Sequence, residues 1–318
     1  MHLRFFLVRA LSELAIPAML LACVSGAAKA EVVDPTYCQS TVVGDVRIDH
    51  LAGKSAPGDH LLRIWLPPGY DDAVNRQKRF PVLYMMDGQN LFDSCPSMNH
   101  AEWNIDETLT QLIAQGKVEP IIVVGIDAPD DGPLRASELV PFHDFVSPFQ
   151  FEPHGDRWPA FLAQEVMPFV QQKYRVKTGR AFTAVGGASY GAVASLYALI
   201  TRPHLFGLGL IESPWTTVGN GEFVRLTHNL TVAPIRVTVG VGDNEAGLYA
   251  DRMRQRGLEP EAFNRNLARD ARLIADNIKA SGGDFTEVKF TESPQGKHDE
   301  AAWRERFAEN IMFLFPPK

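Results

Sequence analysis

Ala184-Val185-Gly186-Gly187-Ala188-Ser189-Tyr190-Gly191-Ala192 places Gly187-x-Ser189-x-Gly191 between two runs of opposite character. Phe182-Thr183-Ala184-Val185 before it has strand character, and Val193-Ala194-Ser195-Leu196-Tyr197-Ala198-Leu199-Ile200 after it favours a helix. A serine held on a tight strand-to-helix turn projects its hydroxyl to where a base can reach it and a backbone N–H can face a developing negative charge. Such a turn is crowded, which accounts for the small flanking residues Gly187 and Gly191. The stretch therefore predicts a nucleophile elbow on a parallel sheet, with Ser189 as nucleophile.

Working outward, the pattern is that of an α/β chain. Val46-Arg47-Ile48-Asp49-His50 and Leu61-Leu62-Arg63-Ile64-Trp65-Leu66 alternate in the strand period, and Pro67-Pro68-Gly69 stops the second, which predicts an antiparallel hairpin at a sheet edge. Continuous apolar runs at residues 80–86, 121–126, 206–213 and 235–240 have the composition of buried parallel strands. Helical patterns open near Trp103, resume at Trp158 and run from Glu261 towards Ala280; Pro168 breaks the second of these without a local explanation. The last strand is expected at Phe285 to Thr291 and a closing helix at Trp303 to Phe313. Residues 127–156 have no clear period and are rich in Pro, Asp and Phe, so they read as a long functional loop.

The 318 residues suffice for one large core, and a single domain is expected over 31–318. Residues 1–30 differ: Arg4 and Arg9 precede an apolar stretch and the small residues ending Ala28-Lys29-Ala30, the composition of a secretory signal and not of a membrane span. Leu20-Leu21-Ala22-Cys23 also fits lipoprotein processing, which would place a lipid anchor on Cys23. Removing residues 1–30 takes away three basic groups and one acid, so the net charge of −7 becomes −9. That balance argues against a nucleic-acid partner. A periplasmic or secreted location follows from the signal, and Cys38 and Cys95 are then expected to be bridged.

A serine nucleophile needs a base and an acid that orients it. Gly296-Lys297-His298-Asp299 directly follows the last expected strand, and His298 satisfies the chain order serine, acid, histidine. The acid belongs on the loop after the strand 235–240, where Gly242-Asp243-Asn244-Glu245 offers both Asp243 and Glu245. Glu212 follows an earlier strand and ranks third. For the oxyanion, one donor is the N–H of Tyr190; Asp87-Gly88-Gln89 supplies the second, expected from Gln89. His143 lies in the long loop and suits substrate contact better than the role of base. Gly240-x-Gly242 with Gly247 lacks the spacing and position of a dinucleotide site. No His-x-x-x-His or Cys-x-x-Cys pair supports a metal site.

Together these residues resemble the putative-esterase family of α/β-hydrolases, the esterase D group with its enterochelin-esterase-like and feruloyl-esterase-like members. The resemblance runs from about Leu62 to about Phe307. It is carried by Leu83 to Phe92, Trp103 with Asp106, Val124-Gly125-Ile126-Asp127, Arg135 ahead of Glu138, and Pro168-Phe169. Gly186 to Gly191, Pro203-x-x-Phe206-Gly207, Ser213-Pro214-Trp215 and Gly296-x-His298-Asp299 with Trp303-Arg304 complete it.

It implies an α/β-hydrolase fold and an esterase that uses a Ser/acid/His triad, an acyl-enzyme intermediate and no cofactor. It also implies that the acid closes a Gly-x-x-acid turn, which favours Glu245 over Asp243. Tyr190, where the family usually has Met, and Ala192, where it usually has Gly, depart from the pattern beside the nucleophile. The substrate is expected to be a small-molecule or glycan-linked ester of aryl, feruloyl, acetyl or siderophore type. Arg135, His143, Arg157 and Trp215 are the candidate contacts, with Phe142, Phe145, Phe149, Phe151 and Trp158 as aromatic candidates. An acyltransferase or peptidase on the same fold, or an inactive binding module, are the alternatives.

Overall fold

The computed structural model describes residues 38–54 and 59–317. Residues 1–30, with the expected signal and Cys23, lie outside them. Gln39–Lys318 forms one compact unit. Cys38 and Cys95 are both disulfide-bonded. No helix among the described residues is long and apolar enough to cross a membrane.

Eight strands form one mixed sheet: β1 (Asp45–Ala52), β2 (Asp59–Leu66), β3 (Val82–Met86), β4 (Ile122–Ile126), β5 (Thr183–Ala188), β6 (Leu208–Glu212), β7 (Arg236–Gly242) and β8 (Glu287–Ser293), in the order β1-β2-β4-β3-β5-β6-β7-β8. β1 and β2 pair antiparallel, as does β2 with β4, and every other pair is parallel. The expected edge hairpin is therefore present. The helices are α1 (Ile105–Ala114), α2 (Gly132–Leu139), α3 (Trp158–Phe161), α4 (Met167–Lys173), α5 (Tyr190–Thr201), α6 (Glu222–Thr227), α7 (Ala250–Gln255), α8 (Pro260–Gly282) and α9 (Glu300–Leu314).

Strand pleating splits the core into two layers. On β3, Val82, Tyr84 and Met86 join the cluster containing α5 and α8 residues such as Leu196, Leu199, Ile274 and Ile278. Leu83 and Met85 face the other way, into a cluster with Leu109 of α1 and Phe307 and Ile311 of α9. Every residue of β3, β4, β5 and β6 is buried, which explains why these strands read as unbroken apolar runs.

Three expectations change. The loop at 127–156 contains α2: Asp131 caps it by accepting from Leu134 N at 2.9 Å, and Pro133 sits in its first turn, where a missing N–H costs nothing. The helix is too short for its periodicity to stand out. The last strand lies two residues later than expected, and Phe285 before it is 92% exposed. Pro168 also gains an account: Leu162–Val166 forms a π-helical segment joining α3 to α4, and Pro168, with no N–H to give, sits in the first turn of α4 just beyond it.

Candidate active site

β5 ends at Ala188 and α5 begins at Tyr190, leaving Ser189 alone on the turn at φ 58° and ψ −126°. A non-glycine residue there is strained by about 1–3 kcal/mol, and such strain collects at functional positions. The neighbours show why glycine is required on either side. A Cβ on Gly187 would come within 2.8 Å of the Gly191 carbonyl carbon, and one on Gly191 within 2.7 Å of Asp87 Oδ2. The turn is thus pressed against both its own helix and the loop after β3. Ser189 sits at the N-terminus of α5, whose first amides, beginning with Tyr190, have no partner within the helix and carry its positive dipole end.

Glu245 and His298 meet on the loops that follow β7 and β8. His298 Nδ1 lies 2.6 Å from Glu245 Oε2, with both side chains buried. Glu245 Oε1 accepts from Ser213 Oγ at 2.7 Å and from Gly242 N at 2.6 Å. Burial alone would push the Glu245 carboxyl up, but the hydrogen bond and charge of His298, with those two donors, hold it below the ordinary carboxylate range. Asp243 is exposed and does something else: its Oδ1 accepts from Gln295 N at 2.6 Å. With Asn244 N donating to Gly296 O at 3.0 Å, that bond clamps the Glu245 loop to the His298 loop. Gly242 permits the approach, since a Cβ there would overlap the Gly296 carbonyl oxygen. His298 Nε2 has no hydrogen bond in the protein and is buried.

A second layer supports this pair. Ser213, itself at φ 43°, accepts at Oγ from Trp303 Nε1 at 3.0 Å while donating to Glu245. Glu212 beside it is fully buried and accepts from Arg306 Nε and Asn310 Nδ2 of α9, each at 2.7 Å. Burial raises the Glu212 carboxyl even though the Arg306 charge opposes the shift.

The loop after β3 starts at Asp87, with φ 58°, and makes one short turn over Gly88–Asn90. That turn is closed by Asn90 N and Leu91 N, so the amides of Gly88 and Gln89 take no part in its ladder. The Gln89 side chain accepts from Ala128 N at 3.1 Å. Asp87 binds Arg135 of α2 through two bonds, 2.6 Å from Nε and 2.8 Å from the second nitrogen, and the guanidinium lies 5.7 Å from the Tyr190 ring centre.

Two cavities open on Ser189 and His298. One, of about 150 Å³, is walled by Arg135, Val146, Phe149, Tyr190, Trp215, Tyr249 and Met253, with Arg252 and Arg256 contributing from α7 and its end. The Trp215 ring meets His298 edge-on at 4.9 Å. The other, of about 160 Å³, is polar and holds Asp87, Asn90, Asp299 and Glu300 beside Arg135 and Tyr249. Burial keeps the Glu300 carboxyl above its usual range.

Ser189, Tyr190, His298, Arg135 and Trp215 therefore converge on the first cavity, with Glu245 behind His298. Gln89 is not among the residues lining either cavity, whereas Asp87 lines the second. His143 is exposed and its ring faces Glu152 at 3.9 Å; Arg157 is exposed in the short turn before α3; neither lines either of these two cavities. Of the five aromatics, Phe149 alone lines one; Trp158 is a core residue packed on His60 and Phe161. Tyr249, Arg252 and Arg256 were not foreseen. They sit some sixty residues beyond the elbow, in and beside a helix of six residues whose charges read as an ordinary solvated face.

A family model described as "Putative esterase" matches residues 54–314. A "Siderophore enterobactin esterase" of Emericella nidulans is 32% identical over 181 residues, which cover 52% of this chain and 55% of that protein. The chain thus spans about half the length of that curated relative. Among solved structures, "Siderophore hydrolase EstA from Aspergillus nidulans" superposes with a TM-score of 0.66 at 23% identity, covering 86% of this chain and 94% of the other. A "ferulic acid esterase" superposes with a TM-score of 0.61 at 17% identity, covering 85% and 97%. Both structural likenesses speak to the fold, which is that of the α/β-hydrolases.

Proposed function

Since the chain belongs to the putative esterase family and is an ester-cleaving hydrolase, we propose that it is an exported serine carboxylic ester hydrolase using Ser189, His298 and Glu245. The observation that carries this reading is the buried contact between His298 Nδ1 and Glu245 Oε2 beside two cavities that share Ser189 and His298. Ser189 Oγ attacks the ester carbonyl and gives its proton to His298 Nε2. Glu245 fixes the tautomer with the proton on Nδ1 and stabilises the imidazolium. The oxyanion is met by the Tyr190 N–H and by an amide of the 87–89 loop. His298 then protonates the departing alcohol, and water repeats the sequence on the acyl-enzyme. The hydrogen bond from Ser189 to His298 forms with substrate bound, as is common where apo geometry is loose.

The cavities differ in a way that suggests how the ester lies. The acyl half suits the first, where Phe149, Trp215 and Tyr249 offer aromatic surface and Arg252 offers charge to a phenolate, catecholate or carboxylate. Arg135 is neutralised by Asp87, and Arg256 spends donors on the Val146 and Ser147 carbonyls at 2.8 and 2.9 Å. The alcohol half suits the second cavity, whose carboxyls can bind hydroxyls. A siderophore-type or other aryl-acyl ester fits this division, and the names of the relatives favour the former.

Labelling with a serine-reactive phosphonate should yield one adduct on the Ser189 peptide, and Ser189→Ala should lose activity on a p-nitrophenyl ester. Wild-type activity in that variant would overturn the assignment. A panel of catecholate, feruloyl and acetyl esters then fixes the acyl class. Arg252→Ala should raise KM for anionic acyl groups while sparing acetyl esters, and equal effects on both would remove the charged-acyl reading. Sequencing the N-terminus of exported protein tests cleavage after Ala30 against lipidation at Cys23.

A further inference from the structure

About α1, away from the Ser189 cavities, three carboxylates converge: Glu102 just before the helix, and Asp106 and Glu107 in its first turn. Glu102 is 4% exposed and Asp106 0% exposed. Each carboxylate has one oxygen already committed. Thr41 Oγ1 donates to Glu102 Oε1, and Val43 N donates to Asp106 Oδ2 at 2.6 Å. The remaining oxygens, Glu102 Oε2 and Asp106 Oδ1, are buried without a partner, and so is Glu107 Oε2. Buried charge without a partner is costly, and three neighbouring carboxylates, each with a buried free oxygen, require an explanation.

The spacing supplies one. Oxygen ligand atoms of the three residues all lie within 4.8 Å of one another. Oxygens around Ca²⁺ sit about 2.3–2.6 Å from the ion, so the widest pair is separated by about 4.6–5.2 Å; around Mg²⁺, at about 2.0–2.1 Å, the limit is about 4.2 Å. Oxygens that all lie within 4.8 Å of one another fit inside the Ca²⁺ span. Arg304, whose charge acts on Glu102, donates through Nε at 3.0 Å to the backbone carbonyl of Glu102 and not to its carboxylate. One guanidinium does not balance three acids.

We propose that Glu102, Asp106 and Glu107 bind a Ca²⁺ ion that fastens the 41–43 segment to the start of α1. Thr41 and Val43 orient the ligands, and the ion neutralises them. It is a structural site, and it departs from the absence of a metal expected from the sequence.

Chelator-treated full-length mature protein should gain several degrees in Tm on adding millimolar CaCl₂, with MgCl₂ at the same concentration run beside it to separate the two ions. Tb³⁺ should bind the same site and luminesce on excitation of Trp103, the residue next to Glu102. Glu107→Gln, at a half-buried position that holds no backbone, should fold and weaken Tb³⁺ and Ca²⁺ binding tenfold or more. Asp106→Asn should do the same, but its bond to Val43 makes it the riskier variant. No Tm shift and no Trp-sensitised luminescence in folded wild-type protein would overturn the site. So would a Glu107→Gln protein more stable than wild type without Ca²⁺ and unresponsive to it, because the carboxylates then share a proton instead. None of these readouts depends on ester hydrolysis.

Discussion

The hydroxyl of Tyr190 donates to Asp144 Oδ2 at 2.8 Å, so the residue directly after Ser189 is fastened to the loop whose Val146 and Phe149 wall the first cavity. Thr217 Oγ1 and Val146 N complete the same carboxylate, at 2.9 and 3.0 Å. Tyr190→Phe removes the bond and leaves the ring. A hydrogen bond to a charged group contributes about 1.5–3 kcal/mol. The variant should lose about that much stability in urea melts and show a higher KM for bulky acyl groups, with kcat on acetyl esters little changed.

Ser213→Ala should act on chemistry through Glu245. The change removes one of the donors that hold that carboxylate low and leaves Trp303 Nε1 without its acceptor. A fall in kcat of about tenfold, equivalent to about 1.4 kcal/mol, is expected with KM unchanged. Steady-state kinetics on a p-nitrophenyl ester measure the split.

Arg306→Leu removes the cation from a fully buried carboxylate. Breaking such a pair from one side costs about 3–5 kcal/mol, since the remaining charge is uncompensated. Denaturant melts should show that loss for Arg306→Leu, and a smaller one for the double variant Glu212→Gln, Arg306→Leu.

Stability should depend on pH through Glu138. Its carboxyl is pushed up to about 8 by burial and by the nearby charge of Asp87. The folded chain therefore keeps this proton where the unfolded chain has released it. Its contribution is fully present below about 4.5 and is lost as pH rises towards 8. His60 lies 3.7 Å away, and burial lowers its affinity for a proton, so below about 6.5 it opposes folding. Comparing Glu138→Gln with wild type isolates the carboxyl. Thermal melts between pH 5 and 8 should fall less steeply for the variant.

How legible each part was follows from how local its cause is. The elbow could be read because strand, turn and helix are contiguous, and steric crowding dictates small residues at Gly187 and Gly191. The sheet was readable because its central strands are buried on both faces. Asp243 and Glu245 could not be separated by composition; what distinguishes them is that one side chain turns to the Gln295 amide and the other to His298. His143 belongs to the expected loop and Arg157 directly follows it, yet the chain carries both to solvent. The α7 arginines reach the cavity by tertiary packing, which leaves no mark on a local pattern. α2 had its signals, Asp131 with Pro133, but too few turns to reveal a period.

The backbone clamp between Gly242 and Gly296 bears on how this chain can diverge. Glu245 and His298 are registered by main-chain contacts at the ends of β7 and β8, whereas the cavity wall comes from residues 146–149 and from α7. In the proposed mechanism, chemistry and selectivity thus sit on separate parts. Laboratory selection for new esters should enrich changes at Phe149, Tyr249, Arg252 and Met253 and leave the two glycines untouched.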